Sequence, residues 1–218
     1  MAANIPSGNP AAAASLYFLP GAASFGAHIV SKWVGVDLNL VNSAEELNKR
    51  NPLHAVPTLE LPNGTVLTQN VGILQYVARA GKAPELVGGD DAQAQAEVLQ
   101  WSAFLSTEVH EASHVVFFSK RFTASADEDQ VANVRSAGIA LLGERLKILD
   151  SRLAGRDFIV GSSKTVVDAQ AIPMLRWSAK VLPDGLEPFP NLMAFYARLI
   201  KDDGVVAAAE AEQMSLDL

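Results

Sequence analysis

The chain of 218 residues contains no cysteine. Disulfides and thiolate metal sites are therefore excluded, and any thiol chemistry must borrow its sulfur from a ligand. Charged residues are sparse, at 19% of the chain, and the net charge is −7. No basic stripe exists to follow a phosphate backbone, so nucleic acid is not an expected partner. No apolar run approaches membrane-spanning length, and no membrane partner is expected. The opening MAANIPSGNPAAAAS lacks the basic segment and leucine-rich core of a signal peptide. It reads as a disordered tail over residues 1–14, with the cytoplasm as the default location.

Apolar residues make up 49% of the chain, which supports a sizeable core in one large domain or two small ones. Strand and helix patterns alternate over residues 15–82. A strand at 15–19 leads to a helix at 24–34, a strand at 37–41 and a brief polar helix or loop at 44–50. Strands at 56–61 and 65–68 flank Pro62-Asn63-Gly64, a hairpin signal, and a helix at 70–80 closes the unit. Residues 83–91, with Pro84, Gly88 and Gly89, read as a linker. Over 92–218 the period is helical throughout, with helices at 92–121, 127–153, 166–181, 192–200 and 204–212. The expected fold class is α/β followed by an all-α domain. Thr165 through Asp168 fits a helix N-terminus in which Thr165 caps and the carboxylate bonds back.

Three stretches carry candidate chemistry. In SLYFLPGAASFGAHIV, Pro20 and Gly21 break the strand and Ser24 opens the helix. A helix N-terminus offers unpaired N–H groups and partial positive charge to an anion, and Ser24 adds a hydroxyl that either caps the helix or assists a bound thiol. Val56-Pro57 stands at a strand start. A cis bond there would turn the Val56 N–H and C=O outward to pair with an extended peptide ligand, whereas a trans bond is an ordinary strand start. Gln69-Asn70 lies where a strand meets a helix and could hold a carboxylate, or Asn70 could simply cap.

Together these stretches resemble the glutathione transferase family, over most of the chain. Pro20-Gly21-Ala22-Ala23-Ser24 is similar to the strand–helix turn of the bacterial beta class. Asn51-Pro52 through Val56-Pro57 resembles the loop that ends in the family's cis-proline, and Gln69-Asn70 occupies the place that binds the γ-glutamyl end of glutathione. WSAFLSTEVH at 101–110, Leu175-Arg176-Trp177, Thr165–Asp168 and the ending 204–210 resemble the class's helical domain. The resemblance implies a thioredoxin-like domain over 15–82, a helical-bundle domain over 92–218 and a homodimer. It implies glutathione as co-substrate, an apolar electrophile as partner and no metal. Val56, Pro57, Gln69 and Asn70 would bind glutathione, with Ser24 and His110 beside its sulfur. The chain also departs from the class. Ala23 stands where Cys is usual, Phe18 where Tyr is usual, Glu111 where Lys is usual, and Gln69-Asn70 replaces Glu-Ser. The segment 42–50 is short and offers no clear counterpart to a glutathione-binding lysine, and Lys164 stands where an apolar residue usually precedes the capping box.

Two other readings compete. The fold could serve a non-catalytic binding or assembly role. His110-Glu111-Ala112-Ser113-His114 also matches the H-E-x-x-H pattern of zinc hydrolases. Of the remaining histidines, His28 is expected on a helix surface. Phe104, Phe117, Phe118, Phe122 and Trp177 are expected mainly in the core, with one or two facing a cleft between the domains.

Overall fold

The computed structural model describes residues 13–218. The tail expected over 1–14 lies almost wholly outside the described residues, and Ala14 already belongs to the first strand. That strand, β1 (Ala14–Tyr17), is followed by α1 (Ser24–Val34), β2 (Leu38–Val41), α2 (Ala44–Arg50), β3 (Thr58–Glu60), β4 (Val66–Thr68) and α3 (Asn70–Ala80). The sheet order is β2-β1-β3-β4, with β1 parallel to β2 and the other pairs antiparallel. Parallel β1 and β2 need a crossover, which α1 supplies. β3 and β4 need only the tight Pro62-Asn63-Gly64 turn, where Gly64 takes φ 83°.

The segment expected as a linker is packed. Pro84–Val87 forms one turn of 3-10 helix and buries Leu86 and Val87. The helices that follow are α4 (Ala92–Phe104), α5 (Glu111–Phe117), α6 (Glu128–Arg152), α7 (Val166–Val181), α8 (Pro190–Leu199) and α9 (Asp203–Ala211). The single long helix expected over 92–121 is interrupted by a π-helical segment, Leu105–His110, and by a 3-10 turn, Ser119–Phe122. Gln170 of α7, fully buried, braces the π segment. Its side-chain N–H₂ donates to Ser102 O (3.0 Å) and to Ser106 Oγ (2.9 Å).

The capping box at the start of α7 is present. Val167 N–H reaches Thr165 Oγ1, and Thr165 N–H donates to Asp168 Oδ2 at 2.7 Å. Burial raises the Asp168 carboxyl to about 6 although these donors oppose the shift. The α1 and α7 backbones approach closely at Gly26, where a Cβ would sit 3.1 Å from Ala169 O. The buried apolar side chains form one continuous cluster running from Leu16 and Phe25 of the α/β part through Val167 and Leu175 of α7 to Val205 of α9. Among the described residues no helix is long and apolar enough to cross a membrane.

Candidate functional site

Strand register gathers the expected site residues. Tyr17 pairs with Thr58, and Thr58 pairs with Thr68. The chain leaving β1, the chain entering β3 and the chain leaving β4 therefore meet at one end of the sheet. The turn at 18–24, Val56-Pro57 and Gln69-Asn70 are brought together there.

The turn after β1 is held from several sides. Ser24 is fully buried and does not cap α1. Its hydroxyl donates to Leu19 O (3.3 Å) and accepts Leu19 N–H (3.4 Å). The amides of Ala23 and Ser24 have no partner among the described residues, while Ala22 N–H bonds Leu19 O and Phe25 N–H bonds Ala22 O. Gly21 takes φ 69°, a left-handed conformation that favours glycine, and a Cβ there would press on Arg176 Nη1 at 2.7 Å. Trp177 Nε1 donates to Gly21 O at 2.9 Å, and Gly21 N–H donates to Glu212 Oε2 at 3.0 Å. The other Glu212 oxygen meets His28 Nδ1 at 3.0 Å, with both side chains buried. His28 is thus not a surface residue: it turns inward from α1 to pair with the C-terminal segment. Sequence reasoning missed Glu212. The one local signal is a carboxylate at the C-terminal end of α9, which opposes the helix dipole and so points to a tertiary partner.

The second loop is knit by Asn51. Its buried amide donates to Ala55 O (3.0 Å) and Thr58 Oγ1 (2.9 Å) and accepts Leu53 N–H (2.9 Å). The Val56-Pro57 bond is cis. Pro57 is buried and Val56 partly exposed, and the Val56 N–H and C=O have no partner among the described residues. Gln69 is exposed and adopts φ 69°, ψ 120°, a backbone region disfavoured for any residue with a side chain. Asn70 does not cap α3. Its side-chain nitrogen and oxygen are both buried without a hydrogen-bond partner among the described residues, a costly state that an incoming polar ligand group would relieve.

His110 arrives from the helical part. Its ring lies 5.2 Å from that of Trp177, the side chain bonded to Gly21 O, and 4.4 Å from His114. Burial, helped by the neighbouring His114, pushes the His110 imidazole down to about 4. It is neutral at physiological pH. His114 Nδ1 lies 3.6 Å from Glu111 Oε1. No group of three His, Cys, Asp or Glu side chains is placed to hold a metal ion among the described residues. Tyr17 points away from the turn, its hydroxyl donating to Glu60 Oε2 at 2.8 Å, where Arg50 also bonds. Desolvation, with the Glu60 bond adding to it, raises the Tyr17 pKa. Phe117, Phe118 and Phe122 are not core residues, being 47%, 42% and 48% exposed.

A family model described as glutathione S-transferase, C-terminal domain, matches residues 109–203. Glutathione S-transferase GST-4.5 of Xanthomonas campestris pv. campestris is 32% identical over 207 residues, covering 92% of this chain and 99% of that protein. A solved glutathione S-transferase from Xylella fastidiosa superposes with a TM-score of 0.83 at 30% identity, covering 93% of this chain and all of that one. A sphingomonad glutathione S-transferase complexed with glutathione superposes at 0.80 with 29% identity and 92% coverage of this chain. The thioredoxin-like unit before a helical domain is the arrangement these relatives share, and the chain belongs to the glutathione S-transferase family.

Proposed function

We propose that the chain binds glutathione at the end of the sheet and adds its thiolate to a small apolar electrophile. The observation that carries this reading is the buried, unpartnered Asn70 amide beside the strained Gln69, facing the same sheet end as the free Val56 peptide groups. These are the contacts a short peptide needs. Gln69 and Asn70 would take its γ-glutamyl end, and the Val56 N–H and C=O, beside Pro57, its cysteinyl backbone.

The sulfur would then meet the N-terminus of α1, where the Ala23 and Ser24 amides have no partner among the described residues. Two N–H donors and the helix dipole stabilise a thiolate and lower the thiol pKa from its ordinary value. Ser24 contributes by closing the turn through Leu19, which fixes those amides. His110, neutral and next to Trp177, would bound the sulfur site and offer a ring nitrogen for hydrogen bonding. With Ala23 in place of cysteine, attack proceeds from glutathione itself, and no enzyme–glutathione disulfide forms. The proposed homodimer is tested by sedimentation equilibrium.

Calorimetric titration with glutathione tests the binding assignment. Wild-type protein should bind, and Gln69→Ala and Asn70→Ala should each weaken binding by about tenfold, the cost of a charge-assisted hydrogen bond. Unchanged affinity in both variants would overturn it. Conjugation of a neutral enone in the presence of glutathione separates an enzyme from a binding module.

A further inference from the structure

Positions 110, 114 and 118, running from the π segment through α5 to the residue that caps its C-terminus, carry a row of aromatic side chains in contact with one another. The ring of His110 is 5.2 Å from Trp177 and 4.4 Å from His114, and His114 is 5.6 Å from Phe118 at an edge-on angle of 76°. The inner end touches the sulfur-side turn, because Trp177 donates to Gly21 O. The outer end is open to solvent, with Phe118 42% exposed. From His110 to Phe118 the stripe runs for about 12 Å at the helical rise.

Charge along the stripe is polar. At the inner half, the Glu111 carboxylate sits 3.6 Å from the His114 ring. At the outer end, the Arg121 guanidinium lies 4.5 Å above the Phe118 ring and forms no ion pair among the described residues. A cation held over an aromatic face keeps its edge donors free for a planar anion. A neutral apolar ligand would leave that guanidinium unused. An acid bound in the reverse orientation would set its charge against Glu111.

The geometry points to an electrophilic co-substrate that is a flat aromatic acid, its reactive carbon at the Gly21–Trp177 end, its ring along His114 and Phe118, and its anionic group on Arg121. This assignment rests on the transferase reading of the same site and narrows its electrophile to one that is apolar along its ring and carries an acid at one end.

Two probes long enough to span the stripe test it: (E)-7-(3-oxobut-1-enyl)-9H-fluorene-2-carboxylate and its methyl ester, which removes the charge and adds one methyl group. Binding is read by tryptophan fluorescence in the absence of glutathione, and conjugation by loss of enone absorbance in its presence. Wild type should bind the acid about fivefold or more tighter than the ester, the upper range for a partly exposed ion pair. Arg121→Gln should erase that preference without changing ester binding, and Arg121→Lys should retain most of it. Equal affinity for the two probes in wild type, or an equal loss for both in Arg121→Gln, would overturn the assignment. Turnover of both probes without an acid preference removes the Arg121 anchor and leaves the transferase reading standing. An Arg121-dependent acid preference in binding without turnover of either probe supports the anchor and counts against the transferase reading.

Discussion

At the residue scale, the site depends on polar groups whose partners are far apart in sequence. His110 shows the consequence most directly. Its imidazole is held near 4 in the folded chain, against about 6.5 when unfolded. Between those values the unfolded chain binds a proton that the folded chain does not. Stability therefore rises with pH through this window and is lost as pH falls from about 6.5 toward 4. The His110 ring proton should titrate by NMR with a midpoint near 4, and a midpoint above 6 would contradict its burial between Trp177 and His114. Local turn and strand–helix signals marked the Val56-Pro57 and Gln69-Asn70 positions but left a trans bond and a plain Asn70 cap open; their candidate roles came from the resemblance to the family. Glu212 was not, nor was the inward turn of His28. Their 3.0 Å contact joins residues 184 apart, and no local pattern encodes such a pairing.

At the scale of elements, the helix bounds followed closely from periodicity. The helices over 24–34, 70–80 and 166–181 match the structure to the residue, because Gly35, Gly81 and the Thr165 cap punctuate them. The break in the long helix before α5 was not legible. A π segment keeps the helical hydrophobic pattern nearly intact and is set by tertiary hydrogen bonds, here from Gln170. Removing that side chain leaves buried Ser102 O and part-buried Ser106 Oγ short of a donor. Gln170→Leu should then cost about 1–3 kcal/mol in denaturant unfolding, the penalty for stranded buried acceptors. A change below about 0.5 kcal/mol would mean the π segment holds itself. The aromatic residues were misjudged at this scale too. Phe117, Phe118 and Phe122 fall where α5 ends and the chain turns outward, so helical spacing overstated their burial.

At the scale of the whole molecule, the two parts of the chain meet across one continuous apolar core, and the candidate site sits on that seam. The sheet end supplies the Val56 peptide groups, Gln69, Asn70 and the free amides of α1. The helical part supplies Trp177, His110 and the Glu212 tie to Gly21. Alternation of strand and helix, followed by helix alone, made this architecture readable from residue patterns. The seam itself was readable only through resemblance to the family, because contacts such as Trp177 to Gly21 depend on how finished elements dock. Amide chemical-shift mapping during glutathione titration of the full chain tests the central claim most directly. The account predicts that the largest shifts cluster at residues 21–24, 55–58 and 68–71, with the Trp177 indole N–H moving in step. Saturating glutathione that leaves these resonances in place, or that shifts a separate cluster, would contradict it.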